Sequence, residues 1–276
     1  MKIKRKYVLL GLALLVIAWL GNIFYYQKHV LKEPLFVKHY YDVVQGMDNF
    51  RLYYINNINS KDDVVFITFP EIDEKYPVST LDNFNTDGCY YNLKIITINI
   101  NKDSTGNIPE KLKNKIITKA KVYLKNGREM DVDIGRIYLY SEELDERGLH
   151  CDSSGGSSNN SGFANFSSNK SLKVLGITYK FPELKDDAFT ISINGTPLKD
   201  IKFPYHVNPD DNLRVDYEFK FNTKDMRRNN AYDFKINVLT EDAVGKKGEN
   251  AVYADYWLQS PAEYDIDEII RNRGND

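Results

Sequence analysis

Residues 116–134 read IITKAKVYLKNGREMDVDI. Two β-rich runs, Ile116–Leu124 and Met130–Ile134, flank Asn126-Gly127, a pair that accepts the positive φ angles of a tight two-residue turn. This is the clearest hairpin in the chain, and it sets the expectation for everything around it. Arg136–Tyr140 adds another strand. Towards the N-terminus, Tyr90–Ile100 alternates loosely through Leu93, Ile95 and Ile98, and Val64–Phe69 is a compact buried-strand candidate stopped by Pro70. Leu35–Val44 and Phe50–Ile55 are further β-rich runs, parted by the turn-like Gln45-Gly46-Met47-Asp48-Asn49. Helical periodicity is almost absent.

Towards the C-terminus the pattern pauses at residues 152–162, DSSGGSSNNSG. Small polar residues bury too little surface to offset chain entropy, so 151–170 is expected to be a flexible linker, with a long loop inside one larger sandwich as the alternative. Strands then resume at Ser171–Phe181, Phe189–Ile193, Leu213–Phe221, Ala231–Thr240 and Asn250–Leu258. They are separated by Asn194-Gly195, Pro209-Asp210-Asp211 and Gly245-Lys246-Lys247-Gly248. Turn signals roughly every ten residues predict an immunoglobulin-like sandwich, without the Cys…Trp…Cys spacing of antibody domains. Ile67-Thr68-Phe69-Pro70-Glu71-Ile72 echoes Tyr179-Lys180-Phe181-Pro182-Glu183-Leu184 and hints at two related units. In the tail, Ser260-Pro261-Ala262-Glu263 has the form of a helix start. A short helix to Arg273 would carry an apolar stripe of Ile266, Ile269 and Ile270, expected to pack on the second sandwich.

Ahead of the strands, Tyr7–Tyr26 is YVLLGLALLVIAWLGNIFYY, twenty residues without a charge. As a helix it spans about 30 Å, the thickness of a bilayer's hydrocarbon core. Lys2, Lys4, Arg5 and Lys6 precede it, which keeps the N-terminus in the cytoplasm, while Trp19, Tyr25 and Tyr26 suit the far headgroup layer. A cleaved secretory signal is the rival, but no A-x-A pattern follows the apolar run. The expected organisation is therefore a cytoplasmic tail (1–6), a signal anchor (7–26), a stalk (27–34) and a first β-sandwich (35–150). The linker (151–170), a second, immunoglobulin-like sandwich (171–258) and a tail with a short helix (259–276) complete it. The fold class is an all-β ectodomain of two immunoglobulin-like β-sandwiches in tandem behind one transmembrane α-helix.

Beyond residue 6 the chain holds 33 Lys and Arg against 39 Asp and Glu, a formal −6, which argues against nucleic acid or anionic polymers as partners. Abundant Ile, Lys, Asn and Tyr with little Ala point to an AT-rich genome and a Gram-positive envelope. Two cysteines, Cys89 and Cys151, would both face an oxidising exterior. A bridge between them closes a loop of about 60 residues, worth roughly 4 kcal/mol in the chain-entropy model; two unrelated thiols are the alternative. No G-x-S-x-G, H-E-x-x-H, phosphate loop or G-x-G-x-x-G occurs, and His29, His39, His150 and His206 lack metal-ligand spacing. Asn83–Gly88 mimics a calcium loop, but Asn83 stands where Asp belongs and Lys94 where the bidentate Glu belongs. The reading is an ordinary turn, with no catalytic residue, metal or cofactor. Function is expected to be non-catalytic binding or scaffolding at the cell envelope, the partners being the bilayer through 7–26 and an envelope protein or cell-wall polymer. An accessory subunit of a transporter or sensor is the alternative, and an envelope hydrolase a third.

Overall fold

A computed structural model of the chain describes residues 5–44, 46–72, 74–78, 80–85, 90–100, 107–140, 148–184, 187–256, 266, 268 and 269. At 74, 77 and 80–85 it describes the backbone only. One helix, α1 (Arg5–His29), precedes β1 (Leu35–Phe36), β2 (His39–Val43), β3 (Asn49–Asn57), β4 (Val64–Phe69), β5 (Glu74–Pro77) and β6 (Thr80–Asn85). Then come β7 (Tyr91–Asn99), β8 (Lys115–Leu124), β9 (Glu129–Leu139), β10 (His150–Ser157), β11 (Ser161–Ser167) and β12 (Leu172–Thr178). The last are β13 (Phe189–Ile193), β14 (Thr196–Pro197), β15 (Tyr205–Val207), β16 (Leu213–Phe219), β17 (Ala231–Asp242) and β18 (Lys247–Tyr256). The described residues are thus mostly β-sheet, with one apolar N-terminal helix.

These strands form three sheets: β1-β3-β7-β6, β10-β11-β16-β13-β14, and a long sheet β15-β12-β17-β2-β9-β8-β4-β5 with β18 on the other side of β17. Two large cores lie between them. The first joins Leu52, Tyr54 and Ile98 of the four-stranded sheet to Ile67, Val122 and Ile137 of the long one. The second joins Phe166, Phe189 and Phe219 of the five-stranded sheet to Val174, Phe234 and Val252. Period-two sequence dictates this layering: along LRVDYEF of β16, Leu213, Val215, Tyr217 and Phe219 are buried while the residues between them are half-buried.

The long sheet runs through both cores because β2 pairs in parallel with β17 on one side and β9 on the other. Alternation along β2 sends Tyr41 and Val43 into the first core and Tyr40 against the second. Tyr40 stacks on Tyr232 at 5.2 Å, and Tyr40 and Tyr138 each meet Phe181 at 5.6 Å. Lys180 donates to Asp42 at 2.7 Å and Arg136 to Glu183 at 2.5 Å across the same seam.

Several expectations are corrected. Residues 151–170 are not a flexible linker: 151–157 and 161–167 form a paired hairpin that continues into β16. Gly162 answers to packing rather than to flexibility, since a Cβ on it would strike the Tyr217 ring 2.7 Å away. The 116–134 hairpin closes through four residues, with Gly127 at φ +84° and Asn126 Oδ1 accepting from the Arg128 amide at 2.9 Å. The two-residue turn occurs instead at Asn194-Gly195, with φ of 49° and 79°. Met130–Ile134 and Arg136–Tyr140 merge into β9 because Gly135, at φ +93°, carries the strand through an irregularity. Strands β5 and β6 were not foreseen. The stalk is partly helix, as α1 continues to His29.

The sequence echo is structural. In each copy the Ile72 or Leu184 amide donates back to the Phe69 or Phe181 carbonyl, at 3.1 and 3.0 Å, and both ends of the turn are buried. Of the turn expected at residues 83–88, 86–88 fall outside the described residues and 83–85 end β6. Most of the tail also falls outside them, but Ile266 and Ile269 pack with Ile55, Tyr91 and Leu93 of β3 and β7, not on the second core.

Candidate functional site

The outward residues of β11, β16 and β13 form ordered rows. Phe163 lies opposite Asp216 and Asp216 opposite Ser192; the next row is Ser161, Glu218 and Thr190. Arg214 braces the first row, its guanidinium 4.0 Å from the Phe163 ring centroid and its Nε donating to Asp216 at 2.8 Å. Lys220 pairs with Glu218 at 2.7 Å. The Asn194-Gly195 turn and the corner after β14 bring Leu198 and Lys199 over one rim, enclosing a concavity of 610 Å³. Hydroxyls, paired charges and one aromatic plane suit hydrogen bonding to a polar, extended ligand. Beneath the face, Tyr217 points inward and donates to Asp255 at 3.0 Å; burial, then the nearby Asp255 charge, pushes its pKa up.

At the rim of the five-stranded sheet, every residue of β10 is exposed. Cys151 presents an exposed thiol there, its Sγ 3.8 Å from the Ser153 carbonyl. Cys89 lies outside the described residues, and the expected bridge with it. His150 is 82% exposed and stands 3.9 Å from Asp152.

At the seam between the cores a smaller cavity of 230 Å³ is walled by Tyr41, Tyr53 and Tyr256. Asp233 of β17 and Asp255 of β18 face one another across strands here. Desolvation by the surrounding atoms, then repulsion from Asp255 and Asp42, pushes the Asp233 carboxyl up to about 6. Among the described residues no group of three His, Cys, Asp or Glu is placed to hold a metal ion.

The helix end is seated on the first sandwich. Tyr90, just before β7, stacks on His29 at 5.3 Å and meets Tyr25 and Tyr26 at 6.3 and 6.1 Å. Asn57 of β3 clamps Leu31 at both backbone groups: Leu31 N–H donates to Oδ1 at 2.9 Å, and Nδ2 donates to the Leu31 carbonyl at 2.8 Å. Trp19, Tyr25 and Tyr26 are exposed on α1, which buries no residue; Arg5 and Lys6 are exposed at its start, and Lys2 and Lys4 lie outside the described residues. The structure brings Tyr25 and Tyr26 together with Tyr90, and Leu31 with Asn57; sequence reasoning singled out neither Tyr90 nor Asn57. Nor did it single out Phe163, Arg214 or Asp216, though the polar half of the LRVDYEF alternation was a usable signal.

No family model matches the chain, and no curated protein matches it. Solved structures give faint likenesses. A protein of unknown function from Porphyromonas gingivalis W83 aligns at 10% identity over 81% of this chain and 96% of that one, with a TM-score of 0.24. The D00–D0 domain of intimin aligns at 10% identity over 82% and 100%, with a TM-score of 0.21. The E. coli chaperone DraB aligns at 10% identity over 82% and 97%, with a TM-score of 0.23. Likeness this weak carries no argument about function.

Proposed function

We propose that this chain is a single-pass, N-in membrane protein displaying two immunoglobulin-like sandwiches outside the cell. It serves as a non-catalytic binding module for a cell-envelope component, a polar wall polymer engaged by the outer face of β11, β16 and β13. One helix, 25 residues long and apolar enough to cross a membrane, supports the anchor. The observation that carries the binding reading is the 610 Å³ concavity with its Phe163–Arg214–Asp216 platform. Full-length protein in nanodiscs should retain isolated wall polymer, and Arg214→Ala or Asp216→Ala should each weaken retention about tenfold, roughly 1.4 kcal/mol. Retention that both variants leave intact would remove this face from consideration; no retention of any envelope polymer would sink the reading.

A second reading, an accessory subunit of a membrane complex, is favoured by the seating of α1. A helix stacked on Tyr90 and clamped by Asn57 passes its displacements to the β-sheets, which a loose tether does not. Exchanging Tyr7–Tyr26 for an unrelated apolar helix separates the two: a tethered module keeps its partner, a subunit loses it.

A further inference from the structure

We infer that the surface of the first sandwich around Tyr90 lies in the headgroup layer of the membrane that α1 spans, so that lipid headgroups are a direct partner of the β-sheet. This rests on the anchor reading above. A helix of 25 residues is about 37 Å long, longer than the roughly 30 Å hydrocarbon core and shorter than the 40–45 Å of the whole bilayer. With Tyr7–Tyr26 filling the core, His29 sits only about 4.5 Å beyond it, inside the headgroup layer. Tyr90 stacks on His29 at 5.3 Å and touches both interfacial tyrosines, so the strand residue shares their depth.

Nothing between helix and sheet is long enough to lift the sandwich away. Leu31, two residues after α1, is already hydrogen-bonded to β3 through Asn57. The backing is rigid as well: Tyr90 leans on Tyr91 at 6.3 Å, and Tyr91 is buried with Ile55, Leu93, Ile266 and Ile269. The chemistry of the surface fits the layer. Tyrosine rings prefer the headgroup depth, and the exposed Lys28 and Lys32 face lipid phosphates there. Arg128, whose Nη1 reaches the Lys32 carbonyl at 3.5 Å, is paired with Asp62 at 2.9 Å, and Glu33 beside Lys32 is exposed.

The test is fluorescence quenching in nanodiscs containing headgroup-nitroxide lipids, using the full-length chain with Trp19→Phe and Trp257→Phe. Single tryptophans are introduced as Tyr26→Trp, Tyr90→Trp and Val244→Trp, the last in the 86% exposed turn before β18. Quenching at 90 comparable with that at 26, and at least threefold stronger than at 244, is the expected result. Quenching at 26 with position 90 behaving like 244 overturns the inference and leaves the anchor reading standing. Absence of quenching at both 26 and 90 removes the anchor reading and the inference together. A dye on Lys32→Cys, with Cys89→Ser and Cys151→Ser, reports the same depth without altering the Tyr90 stack.

Discussion

Gly135 is the residue on which the first core turns. It holds φ +93°, and a Cβ there would collide with the His39 carbonyl and lie 2.6 Å from the His39 nitrogen. His39 is fully buried and stitches the two sheets, its Nδ1–H donating to the Ile134 carbonyl at 3.2 Å while Nε2 accepts from the Tyr53 amide at 2.8 Å. Gly135→Ala therefore meets both a conformational and a steric penalty, and should cost about 3 kcal/mol or more in denaturant unfolding. Asp233 predicts the opposite sign. Its folded-state pKa, about 6, lies above the ordinary 3.8, so the folded chain holds a proton that the unfolded chain releases between those values. Its stability contribution is present below about pH 4 and is lost as pH rises through about 6. Asp233→Asn should thus raise the melting temperature at pH 7.5 and leave it unchanged near pH 4.

At the scale of elements, the glycine-rich 151–162 segment shows why composition misled. Gly162 is required because Tyr217 fills the place of its side chain. That reason lies in a residue far along the chain, which no local reading supplies. Alternating segments such as β13 and β16 were legible because one face of each supplies its own core contacts. The candidate face was legible only in its polar alternation, since the register that sets Phe163 against Asp216 is a property of the assembled sheet. The apolar helix α1 was legible, yet its seating on Tyr90 was not, because stacking partners 61 residues apart leave no periodic trace. The Asn57 clamp makes that seating testable. Asn57→Ala removes both hydrogen bonds to Leu31 and should broaden spin-label distances between position 29 and the β-sheets, with little change in helix content.

Across the whole molecule, two cores share one long sheet and a seam of aromatic rings and ion pairs. Units joined by a mere linker would melt apart; here, separating the cores would strip Tyr40 and Tyr138 of their partners. The full-length protein should accordingly unfold in one calorimetric transition, and two resolved peaks would refute the coupling. Parallel pairing of β2 with both β9 and β17 also has a mechanical meaning. On the proposed reading, a wall polymer tugging on the second core would pull against the membrane through β2, whose hydrogen bonds on both flanks carry the load together. Tension then travels through the sheet itself, and the protein yields to force by losing its fold rather than by stretching a hinge.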